Sequence, residues 1–133
     1  MNLVLPQASR SLLEDGNYEG KRATFILSDG SRRADVRHGD GRCVYSDGSV
    51  YEGRWDDGVI AGTGTYHWAD GASYVGSWRK GKLDGQGVMT LRDGTKITGT
   101  WVSDELEGYA ICAVPGSPEE QVKFHRNQVI HSS

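Results

Sequence analysis

A repeat of 23 residues constrains this chain more than any other feature, because Tyr51-Glu52-Gly53-Arg54-Trp55 returns as Tyr74-Val75-Gly76-Ser77-Trp78. The match continues through Gly58 and Gly81, through Gly62-Thr63-Gly64 and Gly85-Gln86-Gly87, and through Asp70-Gly71 and Asp93-Gly94. The same step reaches Ile97-Thr98-Gly99-Thr100-Trp101 and Gly108 toward the C-terminus, and Gly39-Asp40-Gly41 with Asp47-Gly48 toward the N-terminus. Of 19 glycines, only Gly16, Gly20 and Gly116 fall off this lattice. Self-similarity of this length marks a stack of supersecondary units that bury their apolar faces against one another. An apolar pair precedes each closing turn: Phe25/Leu27, Cys43/Tyr45, Tyr66/Trp68, Met89/Leu91 and, before Gly116-Ser117, Cys112/Val114. This predicts about five units, with about five residues lost between Asp29-Gly30 and Asp47-Gly48, and a half-unit at Asp15 to Gly20 opening the array. The chain divides into an extension (1–14), a repeat array (15–117) and a C-terminal strand or cap (118–133), in which Gln121 to Ile130 read as a last strand covering an edge.

Strand parity turns the repeat into a surface. Alternate residues of an extended strand share a face, so Tyr51, Gly53 and Trp55 point one way and Glu52 and Arg54 the other. On the returning strand Gly62, Gly64, Tyr66 and Trp68 face one side, and Thr63, Thr65 and His67 the other. One face is aromatic and glycine, the other polar and β-branched, the pattern of an antiparallel sheet wet on one side. Asp-Gly supplies the positive φ of tight hairpin turns. The expected fold is all-β: an elongated single-layer antiparallel sheet of successive hairpins, concave on its aromatic and glycine face, with helix at most in short terminal pieces.

The motif Tyr51-Glu52-Gly53-Arg54-Trp55-x-x-Gly58-x-x-x-Gly62-x-Gly64, closed by Asp70-Gly71, resembles the MORN (membrane occupation and recognition nexus) repeat, and residues 74–94 match it equally well. Departures fall at the ends, where Ser28 and Arg32 stand in place of Tyr and Trp, and Ile97, Asp104 and Ala110 in place of Tyr, Gly and Gly. The resemblance implies a non-catalytic scaffold or adaptor that holds protein segments within a large assembly, cytoskeletal or ciliary, with the axoneme favoured. It leaves two alternatives: a peripheral tether to acidic phospholipid, and a regulatory module acting on an enzyme in trans.

Parity places Tyr51, Trp55, Tyr66, Trp68, Tyr74, Trp78, Met89, Leu91 and Trp101 on the concave face, where an exposed stripe would form a groove for a partner segment. An amphipathic helix fits such a groove. The chain's own Leu3-Val4-Leu5 or Leu12-Leu13 is a competing occupant, and ring stacking tight enough to close the stripe is the alternative to both. Basic contacts for a lipid surface would come from Arg32, Arg33 and Arg37 and from Arg79, Lys80 and Lys82, although Asp35, Asp40 and Asp84 interrupt them.

Other chemistry finds little footing. The formal charge of −3, from 15 basic and 18 acidic side chains well mixed, gives no field for nucleic acid. No apolar run approaches the ~18 residues of a membrane span, and Pro6 breaks the start too early for a signal peptide. The Asp-Gly pairs lack the alternating carboxylates of a calcium loop. Gly58-x-x-x-Gly62-x-Gly64 lacks the Lys-Ser/Thr of a phosphate loop, and His38, His67, His125 and His131 show no metal-ligand spacing with the cysteines. No nucleophile, cofactor, metal or small-molecule substrate site is expected. Cys43 and Cys112 occupy equivalent positions three units apart, roughly 28 Å at two ~4.8 Å strand spacings per unit, too far for a disulfide. They are expected as free buried thiols, suited to a reducing compartment.

Overall fold

The computed structural model describes residues 16–130. Ten strands follow in chain order: β1 (Asn17–Ile26), β2 (Arg32–Val44), β3 (Val50–Asp56), β4 (Val59–His67), β5 (Ser73–Arg79), β6 (Lys82–Thr90), β7 (Lys96–Val102), β8 (Glu105–Ala113), β9 (Glu120–His125) and β10 (Gln128–Val129). They form one antiparallel sheet in which every strand neighbours its predecessor. The expected ladder of hairpins is present, and no helix occurs among the described residues.

Two kinds of turn alternate. Inside the hairpins, Asp57-Gly58, Lys80-Gly81, Ser103-Asp104 and Arg126-Asn127 have positive φ at both central residues, the type I′ geometry that matches strand twist. Between hairpins, Asp47, Asp70 and Asp93 each accept, through Oδ1, the backbone N–H two residues on, from Ser49, Ala72 and Thr95. The turn expected at Asp104 keeps its shape without glycine: φ is +73° and the buried carboxylate accepts the Leu83 N–H at 2.8 Å. Asn127 repeats the device, accepting the Leu106 N–H.

Each regular hairpin carries a bulge. Gly53 opposes Gly64 but Trp55 opposes Ile60, so β4 holds two more residues than β3 over that stretch. The same offset recurs in β5/β6 and β7/β8. Gly62 and Gly85 absorb it at φ +78° and +100°, and such insertions bend and twist the strand that carries them.

Two expectations about the ends are corrected. The segment 121–130 is a hairpin, β9–β10, because Arg126-Asn127 turns the chain. At the other end the hairpin is lengthened, not shortened. Tyr18 opposes Cys43, 25 residues on, whereas Tyr51 opposes Tyr66, 15 residues on. The Asp29-Gly30 turn is therefore the tip of one long hairpin, β1–β2, and does not close a unit of its own. Phe25 pairs with Arg33 on that arm, and Ile26 and Leu27 beyond it are exposed.

Cys43 and Cys112 are buried, and neither is in a disulfide. Both thiols should react with a thiol reagent in denaturant without prior reduction, giving two equivalents by mass spectrometry; a count of zero would mean that the paired form exists.

Candidate docking site

The ring-lined face is built like a zip. Trp78 lies edge-on between Tyr51 of the preceding hairpin and Tyr74 of its own, with centroids 5.4 and 5.3 Å away and interplanar angles of 81° and 88°. Trp55 is held in the same way between Tyr18 and Tyr51. Indole Nε1 of Trp55 donates to the Gly41 carbonyl and that of Trp78 to the Gly64 carbonyl. The tyrosine hydroxyls donate to carbonyls three residues on, Tyr51 to Arg54 and Tyr74 to Ser77. Burial pushes the Tyr74 hydroxyl up to about 12 and raises Tyr51 as well, so both remain protonated donors at neutral pH.

Each tyrosine ring lies across a cross-strand glycine pair, Gly53/Gly64 under Tyr51 and Gly76/Gly87 under Tyr74. A Cβ at Gly64 or Gly87 would overlap the ring above it. The fourth hairpin, β7–β8, changes both partners together: Ile97 replaces the ring, and Ala110 stands where Gly64 and Gly87 stood. Trp101 still packs edge-on against Tyr74, at 5.2 Å. Its indole N–H, however, has no hydrogen-bond partner among the described residues.

All nine residues expected on this face are on it, but they do not form an open stripe. Tyr51, Tyr74, Met89 and Trp101 are fully buried, Tyr66 is 1% exposed, and Trp55 and Trp78 are 3% exposed. The physical reason is the edge-to-face packing of rings between units, which removes from water the area that a single-layer sheet would otherwise present. Only Trp68 and Leu91 keep partial exposure. The competing N-terminal segments, Leu3 to Leu5 and Leu12-Leu13, lie outside the described residues.

Trp68 and Leu91 belong to a row along the rim where the hairpins are joined. Residues Tyr45, Trp68, Leu91 and Val114 follow one another at the repeat period, from buried Tyr45 through half-buried Trp68 and Leu91 to Val114, which is 42% exposed. At the start, Tyr45 and Trp68 flank Tyr66 with centroids at 6.1 and 4.9 Å. At the end, the rim opens into a cleft of about 310 Å³ against Leu91, Cys112 and Val114.

The basic residues do not form one patch. Arg79, Lys80 and Lys82 gather at the β5/β6 turn around a depression of about 260 Å³ that also contains Asp84 and Ser103. Exposed Arg32 sits near the tip of the long hairpin, and the Asp56-Asp57 turn of the second hairpin separates the two in sequence. Arg37 is not a surface contact. It is 4% exposed, with its guanidinium over the Tyr18 and Trp55 rings at 5.0 and 5.2 Å. It stands one period before Ile60, Leu83 and Leu106, and that apolar series was the signal for its burial. Phe124 was equally legible: it lies one period after Trp101 and is buried in the same core.

This geometry defines a class: a single-sheet β-repeat protein whose ring-lined face serves as its own core, leaving rims, turns and the outer face for contact. The MORN repeat family model matches residues 33–50, 51–73 and 74–96, and the chain is a MORN-repeat protein. A search among curated proteins finds no significant match. MORN repeats commonly act as scaffolds that bind proteins or membranes, and the family is typically non-catalytic.

Proposed function

We propose that this protein is a non-catalytic scaffold or adaptor subunit that seats a helical segment of a partner along the rim Trp68, Leu91 and Val114. The supporting observation is that these apolar side chains recur once per hairpin and remain accessible while the centre of the face is packed shut. Successive hairpins advance by about 9.6 Å, two strand spacings. Seven residues of α-helix rise about 10.5 Å. A helix lying across the strands can therefore set one apolar residue in every seven against each unit. Two cysteines outside any disulfide fit a reducing cytoplasmic, cytoskeletal or ciliary setting, and a ciliary axoneme is the assembly we favour.

The test is affinity purification from ciliated cells with wild type, Leu91→Glu and Val114→Glu, each checked for an unchanged melting temperature. Both variants should lose the wild-type partners by tenfold or more, about 1.4 kcal/mol, while charge reversal at Arg79, Lys80 and Lys82 leaves them bound. The opposite pattern would end the rim reading. The cluster at the β5/β6 turn favours the second reading, contact with acidic phospholipid; co-sedimentation with anionic vesicles, lost on charge reversal there, would support it.

A further inference from the structure

The rim row ends in a cleft whose chemistry differs from the rest of the face. Period by period, Tyr51, Tyr74 and Ile97 are succeeded by Glu120, and Tyr66 and Met89 by Cys112. Rings that fill this region in the second hairpin, Tyr66 against Trp68, are thus replaced by smaller side chains and a carboxylate. What remains is the cleft of about 310 Å³, with Leu91, Cys112, Val114 and Pro118 as apolar wall and Asp93 and Glu120 as acidic members. No Lys, Arg or His lines it, and neither carboxylate is in an ion pair among the described residues.

We infer that this cleft receives a lysine or arginine side chain from the partner segment; the inference rests on the rim-docking reading and names the residue type that would fix its register. A long aliphatic stem with a cationic end is the complement of an apolar wall with an anionic rim. An apolar side chain would cover the carboxylates without pairing them, and an acidic one would be repelled. The volume stands at the small end of ligand pockets, enough for one long side chain and little more. The Thr95 N–H and hydroxyl lower the Asp93 carboxyl from its ordinary value, so it is anionic at neutral pH. Glu120 faces the cleft closely enough to help burial raise the Cys112 thiol.

The probe is N-acetyl-arginine methylamide, with the norleucine and glutamate analogues as controls, titrated into the ¹⁵N-labelled full-length chain. Shifts at the Thr95, Cys112, Val114 and Glu120 amides, saturating in the millimolar range for arginine and absent for norleucine and glutamate, are expected. Glu120→Gln and Asp93→Asn should each weaken that binding by about fivefold, the asparagine keeping the turn's acceptor. Equal binding of the norleucine probe would make the cleft a plain apolar slot and overturn the assignment, as would silence toward all three probes. The titration uses no partner, so its failure leaves the rim reading standing. Conversely, a failed rim test leaves the cleft's preference for a cation measurable.

Discussion

Gly87→Ala is expected to destabilise the protein by about 3 kcal/mol, a fall in Tm of roughly 12 °C for a chain of this size. The added methyl would overlap the Tyr74 ring, and neither side can give way easily. Tyr74 is fully buried, tied by its hydroxyl to the Ser77 carbonyl and wedged between Trp78 and Trp101. Tyr74→Ile alone removes those ring contacts and should cost about 2–3 kcal/mol. The double variant is the informative one, because it copies the Ile97/Ala110 combination that the next hairpin already uses. Its loss should fall short of the summed single losses by about 2 kcal/mol, a coupling of the size found between residues in contact. Chemical denaturation of the four proteins measures it; strict additivity would mean that the glycine is there for the backbone and not for the ring.

Trp78→Ala is expected to cost about 4 kcal/mol, in the range for emptying a buried aromatic site. The side chain is 3% exposed, bridges two hairpins and donates its indole N–H to the Gly64 carbonyl at 3.1 Å. A milder pair separates packing from hydrogen bonding. Trp78→Phe leaves a buried carbonyl without its indole donor, whereas Trp101→Phe loses no hydrogen bond to a described residue and reproduces Phe124 one period on. The first should cost about 1 kcal/mol more than the second. Thermal melts of both, scored against wild type, decide it, and equal losses would show that the indole bond contributes nothing net. A loss of partner binding in Trp78→Ala would then report unfolding and carry no information about the interface.

Parity and period made most of this architecture legible: the ladder, the face carrying all nine apolar residues, the turns at Asp47-Gly48, Asp70-Gly71 and Asp93-Gly94, and the two cysteines outside any disulfide. The long first hairpin was obscured because Asp-Gly serves both kinds of turn here, at Asp57-Gly58 within a hairpin and at Asp70-Gly71 between hairpins. Only register tells them apart, and the decisive clue was Tyr18-Glu19-Gly20 repeating the start of the second unit. The closing of the aromatic face was a different difficulty. Which face a ring points from follows from its position in a strand; whether the next ring touches it depends on bend and spacing, which residue order alone does not encode. The last hairpin went unread because Asn127 and Phe124 lack the expected Asp-Gly and Trp signals, although both sit on the lattice.

The regular hairpins β3–β4 and β5–β6 present the same edge to their successor that they accept from their predecessor, Gly41 against Gly53 being matched by Gly64 against Gly76 and by Gly87 against Gly99. The junctions are in this sense interchangeable. Duplication or loss of one such regular 23-residue module would rejoin like edges, so evolution can tune the reach of such a protein in steps of about 10 Å, as one adjusts a ruler, without redesigning its interior.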